Sequence, residues 1–121
     1  MQEYNDQELE ILGLQIGCIV RVGRLRKGLS QQDLGLMIGS NNTTIGRIER
    51  FENSTSWKNL FKVCQILQID FNSLFILQPL KLILLIIKEC VSLEQKLTAE
   101  KKKYYKLLEE SAYIKYKKNN I

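Results

Sequence analysis

The strongest constraint on this chain is the spacing of helix breakers and caps between Gly28 and Arg50. Gly28 stops one helix and Ser30 caps the next, with Gln31, Gln32 and Asp33 in its first turn and Leu34, Met37 and Ile38 as its apolar face. Gly39 ends that short helix. Ser40, Asn41 and Asn42 then form a polar turn in which Asn41 can cap a third helix from about Asn42 to Arg50, with Ile45 and Ile48 facing inward. Two short helices therefore meet across a brief turn containing glycine.

The flanking segments continue the helical reading. Leu9, Leu12, Ile16, Ile19 and Val20 recur at helical spacing, and Asn5 with Glu8 three residues later resembles an N-capping pair, so a first helix runs from Asp6 or Glu8 to Arg26. After a polar loop from Phe51 to Ser56, Ser56 can cap a fourth helix whose buried stripe is Leu60, Phe61, Val63, Cys64 and Leu67. Asp70 or Asn72 starts a short fifth helix bearing Phe71, Leu74 and Phe75, and Pro79 punctuates it. The chain is thus expected to be all-α. Its 121 residues and 14.1 kDa allow one small domain and an appendage. The expected division is an acidic segment over 1–10, a five-helix domain over 11–79 and a basic C-terminal segment over 80–121.

Composition removes several function classes. There is no His, which eliminates His-based triads and His zinc sites and leaves no nucleophile–base pair for an enzyme. Cys18, Cys64 and Cys90 are widely spaced without a C-x-x-C pair, so no metal, cofactor or disulfide framework is expected. Cys18 and Cys64 read as packing thiols on apolar helix faces. Reduced cysteines, and a first ten residues with Glu3, Asp6, Glu8 and Glu10 but no Lys or Arg, fit a cytoplasmic protein without an export signal. The most apolar run, Leu82 to Ile87, lies between Lys81 and Lys88 and is far shorter than the ~20 residues a spanning helix needs, so no membrane partner is expected.

Ser30-Gln31-x-x-Leu34, Gly39 and Thr44-Ile45-x-Arg47-Ile48-Glu49 together resemble the helix-turn-helix family of Cro and the lambda and 434 repressors. The likeness extends upstream through Ile16-Gly17, Val20-Arg21, Arg24 and Gly28-Leu29, and downstream through Asn59-Leu60, Leu67 and Leu74-Phe75. It implies a lambda-repressor-type fold and double-stranded DNA as partner. The family usually has Ala at Gly35, a small apolar residue at Gly23, Gly at Phe51 and Gln68, and Pro at Thr55. Gly23, Gly35 and Gly46 inside helices are each expected to cost about 1 kcal/mol relative to Ala. Trp57 stands where the family has an aliphatic residue and is expected to pack half-buried.

By the same resemblance, Asn42, Thr43 and Arg47 are the base-reading candidates. Asn can pair with adenine, Arg with guanine, and Thr can offer a methyl group to thymine. Asn41 either caps the helix or joins them. Ser30 and Gln31 are phosphate candidates, with Thr44 and Arg50 behind them. Arg24 and Glu49 are expected to form a structural ion pair between the first and third helices.

The charge of +5 is unevenly placed. Residues 1–80 carry Arg21, Arg24, Arg26, Lys27, Arg47, Arg50, Lys58 and Lys62 against Glu3, Asp6, Glu8, Glu10, Asp33, Glu49, Glu52 and Asp70, so they are neutral and the remainder supplies the whole excess. From Leu80 to Lys118 there is no Gly or Pro, and a continuous helix of about 39 residues would be ~58 Å long. A heptad set on Ile83 gives a possible coiled-coil seam of Ile83, Ile86, Cys90, Leu93, Leu97, Tyr104, Leu107 and Ile114, interrupted by Glu100 and Ser111. In that register a parallel pair opposes Glu89 to Glu94 and Lys96 to Lys101, so antiparallel pairing, another partner, or a helix folded on its own domain remain open. The expected function is a dimeric regulator, a repressor on a palindromic operator. The alternatives are an antitoxin or adaptor whose C-terminal helix binds a partner protein, and a nonspecific DNA binder.

Overall fold

The computed structural model describes residues 3–52 and 55–119, and over these the chain is entirely helical. The helices are α1 (Asp6–Arg26), α2 (Gln31–Met37), α3 (Asn42–Glu49), α4 (Trp57–Leu67), a 3-10 turn (Asn72–Phe75), α5 (Leu80–Leu93) and α6 (Ala99–Lys118). Each start has a local chemical cause. Asn5 and Glu8 form a reciprocal capping box, Ser30 and Asp33 form another, and Asn41, Ser56 and Thr98 accept from the third backbone N–H of their helices. Gly39, at φ 72°, turns the chain from α2 into α3.

The central helix is buried on two faces. Toward α2, α3 and α4, Leu12, Ile16 and Val20 join Leu34, Ile45, Ile48 and Val63 in one apolar core. On the opposite side, Ile11, Cys18 and Val22 join Ile83, Ile87, Cys90, Tyr105, Ala112 and Tyr116 in a second core. The link between the helix-turn-helix half and α5 is held by a buried amide. Gln15 Nε2 donates to the carbonyls of Leu74 and Ile76, at 3.2 and 2.8 Å, and its Oε1 accepts from Gln78 N–H at 2.8 Å. Tyr116 Oη donates to the Gln78 carbonyl at 2.7 Å, so the end of α6 grips the same link.

The C-terminal segment differs from a continuous helix. It breaks between Glu94 and Thr98 and folds as a hairpin against α1, leaving α6 as the long C-terminal helix. Glu94 leaves α5 with extended backbone, and Thr98 Oγ1 accepts from Lys101 N–H to start α6. The expected seam is accordingly corrected. Ile83 and Cys90 are buried inside the chain's own second core, with Ile86, Leu93, Leu97 and Tyr104 packed around it. Leu107 and Ile114 are 55% and 67% exposed. The break resets the helix phase, so the heptad carried over from α5 falls one residue, about 100° of rotation, away from the face of Tyr105, Ala112 and Tyr116.

Smaller corrections follow from the packing. Met37 and Leu9 lie outward while Ile38 and Leu12 face the core. Trp57 is 67% exposed at the start of α4 instead of half-buried. Gly35 and Gly46, each inside a short helix, are not equivalent. A Cβ on Gly35 would lie 2.4 Å from the Asn41 carbonyl carbon, so Gly there lets α2 approach the cap of α3, whereas a Cβ on Gly46 would meet only the flexible end of Arg50. Among the described residues, no helix is long and apolar enough to cross a membrane.

Candidate nucleic-acid interface

α3 presents a polar edge because its apolar residues are used inward. Ile45 and Ile48 are buried, and the offsets that bury them leave Asn42, Thr43 and Arg47 exposed on the opposite side. Asn41 is the cap of the helix: its Oδ1 accepts from Thr44 N–H at 3.0 Å. The Thr44 hydroxyl is tied into the same turn, sharing a 2.7 Å hydrogen bond with Ser40 Oγ. Three exposed side chains with donor groups or a methyl thus project from the first turns of a helix whose start is firmly capped.

The inner end of α3 is fixed by charge. Glu49 has a fully buried carboxylate side chain that faces Arg24 through two bonds, from Nε at 2.6 Å and Nη2 at 3.1 Å. The remaining Arg24 donor, Nη1, reaches the Leu29 carbonyl at 2.8 Å and so also holds the entry to α2. Arg21, absent from the sequence-based site, is a second cation on Glu49, with Nε 3.4 Å from Oε1. Its guanidinium lies 4.6 Å from the Tyr104 ring centroid and 5.6 Å from that of Tyr105. Burial works against the Arg21 charge, but Glu49 and the two tyrosines together outweigh it and raise its pKa. The sequence signal for this second cation was its position one turn before Arg24 on the same helix.

The phosphate candidates separate in the structure. Gln31 turns inward and donates from Nε2 to Glu49 Oε1 at 3.1 Å, so its side chain supports α3 instead of reaching outward. Ser30 N–H donates to Asp33 Oδ2 while Ser30 Oγ accepts from Asp33 N–H, and hydrogen bonding from the Ser30 backbone, with its side chain adding to it, holds the Asp33 carboxyl below its ordinary range. Arg50 is exposed and pairs with Glu52 at 2.8 Å, while Arg47 lies 3.9 Å from the same carboxylate. Phe51 keeps a left-handed backbone, φ 47°, where the family uses Gly. Its ring lies against Gly13 of α1, where an added Cβ would come within 2.7 Å.

A helix-turn-helix family model matches residues 20–74, the span from the middle of α1 through the 3-10 turn. Residues 20–74 are a helix-turn-helix domain. They belong to the Cro/C1-type family of bacterial and phage regulators, which bind DNA and regulate transcription. The match ends before α5, so the C-terminal hairpin is an addition to the family domain that packs on α1. No curated protein and no solved structure matches the chain at a significant level.

Proposed function

We propose that this helix-turn-helix protein is a sequence-specific transcriptional repressor that inserts α3 into the major groove and reads bases with Asn42, Thr43 and Arg47. The observation that carries this reading is the combination of those three exposed side chains with the buried Arg21–Arg24–Glu49–Gln31 cluster behind them. A reading helix must be held in one orientation for bidentate contacts to discriminate bases, and each good contact contributes about 1–3 kcal/mol of discrimination. Ser30 and Arg50 flank α3 as phosphate contacts that set its register. Action on a palindromic operator by a dimer belongs to this reading, since two half-sites multiply the specificity of one small domain. Such a dimer pairs through residues that the hairpin leaves outside its own core.

Selection of bound sequences from a random duplex pool tests the reading. The wild-type chain enriches a motif, and Asn42→Ala and Arg47→Ala lose that preference while remaining folded. Enrichment unchanged by both substitutions refutes it.

One feature favours a second reading, an adaptor or antitoxin that binds a protein partner. Between α5 and α6 lies an open groove of about 800 Å³, with Leu84, Leu85, Val91 and Tyr113 in its lining and Lys81, Lys88, Lys102 and Lys106 around it. Sedimentation of a monomer that forms a stable 1:1 complex with a partner, without operator-length protection of DNA, supports that reading over the repressor.

A further inference from the structure

The corner between α5 and α6 lies beside the tip of the recognition helix. One groove of about 520 Å³ is lined on one side by Asn42 and residues 30–33, and on the other by Leu93, Glu94, Gln95, Lys96 and Lys101, with Arg21 and Arg24 at its base. The heptad reading placed residues 93–101 in the middle of a distant rod. The break instead carries them back to the edge of α3.

We propose that this corner is a second DNA-contacting element, in which Lys96 grips the sugar–phosphate backbone next to the base pairs read by α3. The inference rests on the proposed insertion of α3 into the major groove and adds the residue that clamps the adjacent strand. Three observations carry it. First, the corner is a built structure. Glu94 is nearly buried, accepts from Lys101 Nζ at 3.2 Å and from the Tyr105 hydroxyl, and Thr98 caps the helix that follows. Second, its position relative to α3 is fixed through α1: Tyr104 and Tyr105, on the first turns of α6, hold Arg21, which holds Glu49 at the end of α3. Third, the charges leave one cation available. Glu49 faces Arg21 and Arg24, Glu94 faces Lys101, and the Asp33 carboxylate on the α2 side is bonded by Ser30 N–H, whereas Lys96 is exposed and has no carboxylate partner among the described residues. Residues 1–80 have no net charge, so a cation delivered from the C-terminal segment supplies this edge with positive charge that the rest of those residues do not provide in net.

Phosphate gripped by one lysine contributes to affinity for every sequence and to its salt dependence, without contributing to base preference. The test uses the full chain with Lys96→Gln and Lys96→Glu, and Arg47→Ala alongside, measuring binding to the selected duplex and to a random duplex over a range of salt. Circular dichroism verifies folding, which an exposed corner lysine does not decide. The expected result for Lys96→Gln is an equal loss of affinity on both duplexes, on the order of threefold at low salt, and a salt slope reduced by about 1. Lys96→Glu loses more on both. Unchanged affinity and slope overturn the proposal while leaving the reading by α3 intact if Arg47→Ala still abolishes preference. Tighter binding by Lys96→Glu also overturns it, as does a change of preferred sequence on Lys96→Gln. A wild-type chain that binds neither duplex overturns both proposals together.

Discussion

Glu49→Gln is the substitution that most directly tests how α3 is held. Gln has the shape of Glu but turns one acceptor oxygen into an NH2 donor that faces other donors, so the change removes the charge and part of the hydrogen bonding without opening a cavity. In the native protein that charge faces two guanidinium groups whose side chains are only 7% and 11% exposed, and it also accepts from Gln31. After substitution two buried cations share the site with no anion. Breaking a buried ion pair from one side costs roughly 3–5 kcal/mol. Against a total stability of about 5–15 kcal/mol for a domain of ordinary size, that is roughly a fifth or more of the whole. Arg24→Met is the informative comparison, because it leaves Glu49 facing Arg21 and Gln31 as a neutral set and forfeits the bond to the Leu29 carbonyl. Its expected cost is smaller, about 2–4 kcal/mol. Urea unfolding followed by far-ultraviolet circular dichroism measures both, provided the slope with denaturant is unchanged between variants. A cost below about 1 kcal/mol for Glu49→Gln, or a larger cost for Arg24→Met than for Glu49→Gln, refutes the argument that charge balance fixes α3.

Other expected outcomes concern backbone and thiols. Gln68 ends α4 with φ 57°, so Gln68→Gly relieves a left-handed conformation and stabilises by about 1 kcal/mol, read as an upward shift in the unfolding midpoint. Gly46→Ala stabilises by up to about 1 kcal/mol because only the mobile Arg50 guanidinium must give way, while Gly35→Ala destabilises because the Asn41 backbone must move; thermal unfolding of the pair resolves the opposite signs. Burial pushes the thiols of Cys18 and Cys90 up to about 12 and that of Cys64 to about 11, so all three react slowly with an aromatic disulfide reagent at neutral pH and rapidly in denaturant. Each raised folded-state value means that the thiol contribution to stability is fully present below the ordinary value of 9.0 and is lost as pH rises from there toward 11–12; urea midpoints measured across that window fall accordingly.

The helix-turn-helix half was legible because its punctuation is local. Ser30, Gly39, Asn41 and Ser56 mark helix ends by hydrogen bonds that span three residues, and the apolar positions between them follow one period. The C-terminal half was harder to read because nothing in it resembles a strong breaker. The hairpin corner contains neither Gly nor Pro, and its signal is a single capping threonine, Thr98, followed by Glu100 in the next turn. A second clue lay in α1. Besides the stripe through Leu12 and Ile16, Ile11, Leu14, Cys18, Val22 and Leu25 form another at helical spacing, and a helix apolar on two faces must be covered on both. The polar α3 edge followed from the resemblance, but the inward turn of Gln31 and the placement of Arg21 depend on where Glu49 sits in three dimensions. Spacing puts Arg21 one turn before Arg24, and only the fold shows that both reach the same carboxylate.

The two-faced burial of α1 also explains why an appended hairpin bears on α3 at all. A coiled-coil rod would leave Cys18 and Val22 exposed and would carry the excess lysines away from α3. Folding back covers those residues and brings Tyr104 onto Arg21, which is itself bound to Glu49. Arg21 therefore has partners on both sides of α1, one belonging to the family domain and one to the addition. Any loosening of α6 exposes that guanidinium and weakens its contact with Glu49, so the hairpin stabilises the orientation of α3 through a charge buried between them. The net charge of +5 acquires a location by the same route: nine of the ten lysines after residue 80 lie on the two helices packed against α1, and the tenth, Lys96, lies in the corner that joins them at the edge of the polar face of α3.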